Sequence, residues 1–196
     1  GGHDPYSSSK AALELAISSW RASFCGNKVH QNKYLAIATA RAGNVIGGGD
    51  WSNYRLIPDI FRSIISNKQL LIRYPDSVRP WQHVLEPLIG YMELAERLYS
   101  GENVQGSWNF GPNETSHKTV RDVVECMKIE LPELNYDISR EKFDHEAGLL
   151  YLDITKSRRD LDWIPKWSFE KCLTATVEWY KAYMNNKDML EFSKKQ

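Results

Sequence analysis

Two side chains near the start of the sequence could move a proton. Tyr6 and Lys10 lie four residues apart, which on a helix puts them on one face, one turn and about 6 Å from each other. A phenol that ionises near pH ~10 is a poor base at neutral pH, and a neighbouring ammonium favours the phenolate. Bringing the pKa to about 7 takes about 4 kcal/mol of differential stabilisation. One exposed lysine gives less than that, so partial burial and a bound cationic ring would have to add the rest. Such a pair could take a proton from a hydroxyl while hydride leaves the same carbon. Spacing alone decides nothing, because Tyr183 and Lys187 repeat it at what reads as a helix end.

Other residues carry weaker signals. Arginine suits phosphate because its planar guanidinium offers paired donors. Taken alone, Arg55 and Arg79 read more readily as surface ion-pair residues than as phosphate ligands, although Pro80-Trp81 beside Arg79 points to a formed loop. Asn44 reads either as a ligand contact or as a turn residue after a strand. His83, beside Val84-Leu85, reads as a core histidine. Trp51 and Trp81 could line a site, but tryptophan is mostly packing. Gly47-Gly48-Gly49 is not a dinucleotide fingerprint, since the G-x-G-x-x-G spacing and the following helix are missing. No Gly-Lys-Ser/Thr follows it, so it is not a phosphate loop either.

The elements that must position these residues alternate between strand and helix, which makes the class α/β. Asp4 can cap and Pro5 can open a helix that runs to Phe24, with Leu13, Ile17, Trp20 and Phe24 as its apolar stripe. Gly26-Asn27 ends it. Residues 34–40 read as a buried strand, and Arg41 to Asp50 as a glycine-rich loop. Helices are expected to open at Pro58, Pro87, Thr119 and Ser168. Short strands are expected near Leu70 and at Ser107 to Phe110, and the tail from Asn185 should fray.

Composition narrows the function classes. The 196 residues hold 25 basic and 25 acidic side chains, a net charge of zero, so the basic excess of a general nucleic-acid binder is missing. Three cysteines without metal-ligand spacing fit a reducing compartment. No run reaches the ~18 apolar residues of a membrane helix. The expectation is a cytoplasmic protein with no metal, no nucleic acid and no membrane among its partners.

The run DPYSSSKAALE, followed by a strand and then ARAGNVIGGGDW, resembles the active-site helix and next strand of the extended short-chain dehydrogenases. The resemblance continues in order through RLIPDI, RPWQHVLEPLIGY, WNFGPN and HEAGLLYLDITKSRRDLDWIP. Among these enzymes the chain is most similar to the nucleotide-sugar 4,6-dehydratases, in particular those acting on CDP-glucose. The resemblance implies the C-terminal part of a Rossmann-type enzyme plus its small substrate-binding domain. Residues 1–46 would end the dinucleotide-binding domain, 47–185 would mainly bind nucleotide-sugar, and 186–196 would be a polar tail.

The same resemblance implies residue roles. Tyr6 would be the base for the sugar 4-hydroxyl, and Lys10 would bind the nicotinamide ribose of NAD and lower the tyrosine pKa. The backbone at Ala42 and Gly43 would lie against the nicotinamide. Asn44 would meet the nucleotide-sugar, Arg55 and Arg79 its pyrophosphate, and Asn109 the nucleotide. A homodimer through the Tyr6/Lys10 helix and a place in O-antigen deoxysugar synthesis are also implied. The sequence lacks an initiating methionine and enters at once into the motif-bearing helix, so the expectation is a truncated, inactive portion of the enzyme. An epimerase or decarboxylase of the same class, a non-catalytic nucleotide-sugar-binding module and a helix-mediated interaction protein remain as alternatives.

Overall fold

The computed structural model describes residues 4–25, 35–140 and 148–196, so Gly26-Asn27 and His145 to Ala147 of the motifs above lie outside the described residues. Helix α1 (Pro5–Phe24) starts where the sequence says it should. The Asp4 carboxylate accepts from the Ser7 N–H at 2.9 Å, and Ser7 answers the Asp4 backbone to close a capping box. It is followed by β1 (Ala38–Ala42), β2 (Asn44–Ile46), α2 (Leu56–Ile65), β3 (Leu70–Ile72), β4 (Val78–His83), α3 (Leu85–Tyr99) and β5 (Gly106–Phe110). After a short 3-10 turn come β6 (His117–Thr119), α4 (Val120–Glu130), β7 (Tyr136–Ile138), α5 (Thr155–Leu161), α6 (Phe169–Met184) and α7 (Met189–Lys195).

The chain divides into two compact units, each assembled from separate stretches. The first holds residues 1–42, 87–110 and 153–164; the second holds 43–86, 111–152 and 165–196. In the first, β1 and β5 pair in parallel, with Arg41 opposite Asn109 and Ala42 opposite Phe110. Leu94, Val104, Trp108, Phe110, Ile154, Leu161 and Trp163 form its core. Gly90 belongs to that packing, because a Cβ there would stand 2.2 Å from the Phe110 ring.

In the second unit β4 is central, pairing in parallel with β2 and antiparallel with β6, while β3 and β7 form a separate parallel pair. α6 supplies much of its core. It is capped by Ser168 and buries Phe169, Cys172, Leu173, Thr176, Val177 and Tyr180, the residues its periodicity selects.

Several elements depart from the sequence reading. α2 and α3 each begin two residues before the proline expected to open them, since proline is tolerated throughout a first turn, where its missing N–H has no partner to lose. Residues 41–50 are not one loop: β1 runs on to Ala42, and β2 occupies 44–46. The tail does not fray from Asn185, because Asp188 caps α7 and Trp179 Nε1 donates to Ser193 Oγ at 2.8 Å. The apolar stripe assigned to α1 is largely not its inward face. Leu13, Trp20 and Phe24 are exposed, and the half-buried positions are Ser7, Ala11, Glu14, Ile17 and Arg21.

Candidate active site

In the first unit, Tyr6 and Lys10 sit on the opening turns of α1, both exposed, with the Lys10 ammonium 5.6 Å from the centre of the Tyr6 ring. What fixes the helix lies one turn further on. Glu14 continues the Tyr6–Lys10 stripe, and its carboxylate accepts from Ser107 Oγ at 2.7 Å and Thr39 Oγ1 at 3.0 Å while pairing with Arg41 at 2.8 Å. Partial burial opposes its ionisation. The hydrogen bonds from Ser107 and Thr39 and the Arg41 charge outweigh that and hold the carboxyl below its usual range.

Arg41 hands the connection on, its Nε donating to Asn109 Oδ1 at 2.9 Å. The Asn109 amide donates in turn to the Asp153 carbonyl at 2.9 Å. Both ends of the Asn109 side chain are therefore engaged inside the first unit. Sequence reading singled out Asn109 but missed Glu14, Thr39, Arg41 and Ser107. Only Glu14 had a signal there, as the third member of an i, i+4, i+8 series.

The second unit holds the other site residues. Gly43 is required by protein packing, since a Cβ there would stand 2.8 Å from the Pro80 ring and 2.9 Å from its carbonyl oxygen. Asn44 is a strand residue rather than a turn residue, paired in register with Trp81 on β4. Arg79, two residues before Trp81 on the same strand, is buried, with Nη1 donating to the Val78 carbonyl at 2.8 Å. Asn44 and Arg79 are thus on neighbouring strands.

Arg55 stands apart from them as the residue before α2. It is exposed and paired with Asp50 at 3.0 Å. Partial burial works against the Asp50 charge, but hydrogen bonds from Ser52 and the Arg55 guanidinium prevail and keep the carboxyl low. Tyr6, Lys10, Ala42 and Asn109 therefore belong to one unit, and Gly43, Asn44, Arg55 and Arg79 to the other.

The remaining singled-out residues are structural. His83 is buried, its ring 4.8 Å from Trp167, and burial depresses its pKa to about 4. Its backbone N–H points at Cys172 Sγ. Burial, opposed only in part by that donor, pushes the thiol up to about 11, which leaves it inert. Trp51 packs edge-on to Tyr180 at 5.2 Å. The triple glycine serves packing too: a Cβ on Gly48 would fall 2.0 Å from the Trp179 indole. Among the described residues no cluster could hold a metal ion, and no helix is long and apolar enough to cross a membrane.

No protein-family profile matches the chain. Over its whole length it is 45% identical to the CDP-glucose 4,6-dehydratase of Salmonella typhimurium, covering 55% of that protein. The chain is similar to CDP-glucose 4,6-dehydratase. The dTDP-glucose 4,6-dehydratase of Escherichia coli is a more distant relative, 26% identical over 194 residues, of which the chain covers 49%. The chain spans about half the length of the curated relatives it matches.

Solved structures agree on the fold. A Bacillus anthracis dTDP-glucose 4,6-dehydratase in complex with NAD superposes with a TM-score of 0.70 at 23% identity, over 94% of this chain and 54% of that one. A Stenotrophomonas maltophila UDP-glucose-4-epimerase with bound NAD gives 0.76 at 16% identity, over 95% and 57%. The α/β fold expected from the sequence is the fold of these dehydratases and epimerases.

Proposed function

We propose that this chain supplies the tyrosine–lysine helix and the nucleotide-sugar-binding residues of an NAD-dependent CDP-glucose 4,6-dehydratase. The observation that carries the reading is the 45% identity, over the whole chain, to a CDP-glucose 4,6-dehydratase. The exposed Tyr6/Lys10 pair on a polar-anchored helix supports it. The first unit would then close the dinucleotide-binding domain, and the second would be the main part of the nucleotide-sugar-binding domain.

The residues present suit NAD. The phenol of Tyr6, 72% exposed, and the ammonium of Lys10 face solvent side by side; the lysine is a donor for ribose hydroxyls, and Ala42 ends β1 directly after Arg41, the partner of the Glu14 anchor. When bound, NAD supplies the hydride acceptor. Tyr6 takes the proton of the sugar 4-hydroxyl, and Lys10 favours the phenolate that does so. The carbonyl formed at C4 acidifies the C5 hydrogen, so that the C5 proton and the C6 hydroxyl leave as water; return of the hydride to C6 and of a proton to C5 would close the cycle with NAD unchanged. Asn44 would face the nucleotide-sugar, Arg55 and Arg79 its diphosphate, and Asn109 would hold the strand end near the nucleotide.

A homodimer belongs to the same reading, supported by the exposed Leu13, Trp20 and Phe24 on α1, as does action in the cytoplasm on a sugar destined for O-antigen. Calorimetric titration with CDP-glucose and UDP-glucose tests the substrate assignment. CDP-glucose is expected to bind at least tenfold more tightly, a difference of about 1.4 kcal/mol. Equal affinity for the two would overturn the CDP assignment.

A further inference from the structure

We infer that Asp50 is a positioning residue, holding the Arg55 guanidinium ready for the substrate diphosphate. The inference rests on the proposed function and concerns how one of its phosphate-binding arginines is prepared. Arg55 is a long, exposed side chain placed at the N-terminus of α2, where the helix dipole opposes a cation. Left alone it would sample many rotamers, and fixing it on binding would cost affinity. Asp50 removes part of that freedom. It takes a single guanidinium nitrogen, Nη1, at 3.0 Å, and 64% of the Arg55 side chain stays open to solvent. An arginine tethered by one arm keeps the other edge of its fork for a bidentate phosphate contact.

The tether is itself built into the fold. The Asp50 backbone carbonyl accepts from the hydroxyl of Tyr180, a fully buried ring stacked on Phe61 with centres 4.0 Å apart. The Asp50 carboxylate accepts from the Ser52 N–H at 2.9 Å, which fixes its rotamer. Before it, Gly49 takes a φ of +82°, and Gly48 lies against the Trp179 indole. The glycine run thus delivers Asp50 from the α6 core to Arg55.

The two roles open to Asp50 predict opposite signs. A carboxylate that merely neutralises Arg55 competes with the diphosphate, so removing its charge would tighten binding. A positioning carboxylate weakens binding when removed. The test is titration calorimetry with CDP-glucose on the wild-type chain, Asp50→Asn, Arg55→Ala and the double variant. Asparagine keeps an oxygen for the Ser52 N–H, and far-UV circular dichroism checks the fold.

Asp50→Asn is expected to weaken binding about five- to tenfold, Arg55→Ala to weaken it more, and Asp50→Asn to add nothing once Arg55 is gone. Tyr180→Phe, which keeps the ring and loses the hydroxyl, should move affinity the same way by less, and it decides the matter if Asp50→Asn does not fold. Unchanged or tighter binding by the Asp50 variant overturns the inference, as does an equal loss in the Arg55→Ala background; in either case the proposed function stands. Wild-type chain that binds no CDP-glucose overturns both.

Discussion

Helices α1 and α6 are the two longest in the chain, and they are held in opposite ways. α6 spans 16 residues and buries eight of them; α1 spans 20 and buries none. One is a core element, fixed by apolar packing against Ile60, Phe61 and Val124 in the cluster it completes. The other carries a polar anchor, a carboxylate that gathers two hydroxyls and a guanidinium. A helix that carries reacting groups must leave its opening turns accessible, so it cannot be fixed by burying them. Polar anchoring at Glu14, one turn beyond the proposed reacting pair, leaves Tyr6 and Lys10 open.

The largest expected difference is between matched truncations. Leu173→Ala in α6 should cost about 2–5 kcal/mol, as buried leucines do, whereas truncating the exposed Leu15 of α1 to alanine should stay within about 0.5 kcal/mol; urea unfolding followed by far-UV circular dichroism measures both. Similar losses would erase the contrast.

The next test uses the core that α6 shares with His83. With a folded pKa of about 4 against the ordinary 6.5, the unfolded state binds the extra proton, so stability is full above pH 6.5 and falls as pH drops towards 4. The loss should be on the order of 2–3 kcal/mol, and His83→Gln should flatten the profile over that window. A wild-type profile already flat there would show that His83 is not held neutral.

The smallest effect sharpens the α1 side. Glu14→Gln keeps the side chain's shape but removes the charge facing Arg41. It should cost about 1 kcal/mol, visible as faster amide hydrogen exchange confined to α1 and β1. Exchange that accelerates across α6 as well would mean that α1 is not separately anchored.

The contrast also explains what the sequence disclosed. α6 was legible residue by residue, because burial writes itself as a 3.6-residue period: Phe169, Cys172, Leu173, Thr176, Val177 and Tyr180. The starts of α1 and α4 were legible, the first from Asp4 and Pro5 and the second from Thr119. The inward face of α1 was not, since of its half-buried positions Ser7, Ala11, Glu14, Ile17 and Arg21 only Ile17 is a large apolar residue. β4 was hidden because Pro80 in VRPWQH reads as a loop, yet Pro80 sits opposite His117 in the antiparallel ladder. β2 was concealed by the glycines around it, and α5, TKSRRDL, by its polarity. Within the candidate site, Tyr6 and Lys10 were singled out by their spacing together with the resemblance of the run around them, whereas Asp50 and Arg41 gain meaning only from partners brought close by folding.

The interleaving of the two units constrains how the chain can fold and how it can be divided. The chain changes unit after residues 42, 86, 110, 152 and 164, so no single cut yields one unit whole. The β1–β5 ladder joins Ala38 to Gly106, and β3–β7 joins Leu70 to Tyr136. Parallel pairings across such intervals must close long loops before any contact rewards the closure. The first unit therefore cannot finish during synthesis until most of the second has emerged, because Ser107, one of the groups Glu14 grips, follows Thr39 by a long stretch of the second unit.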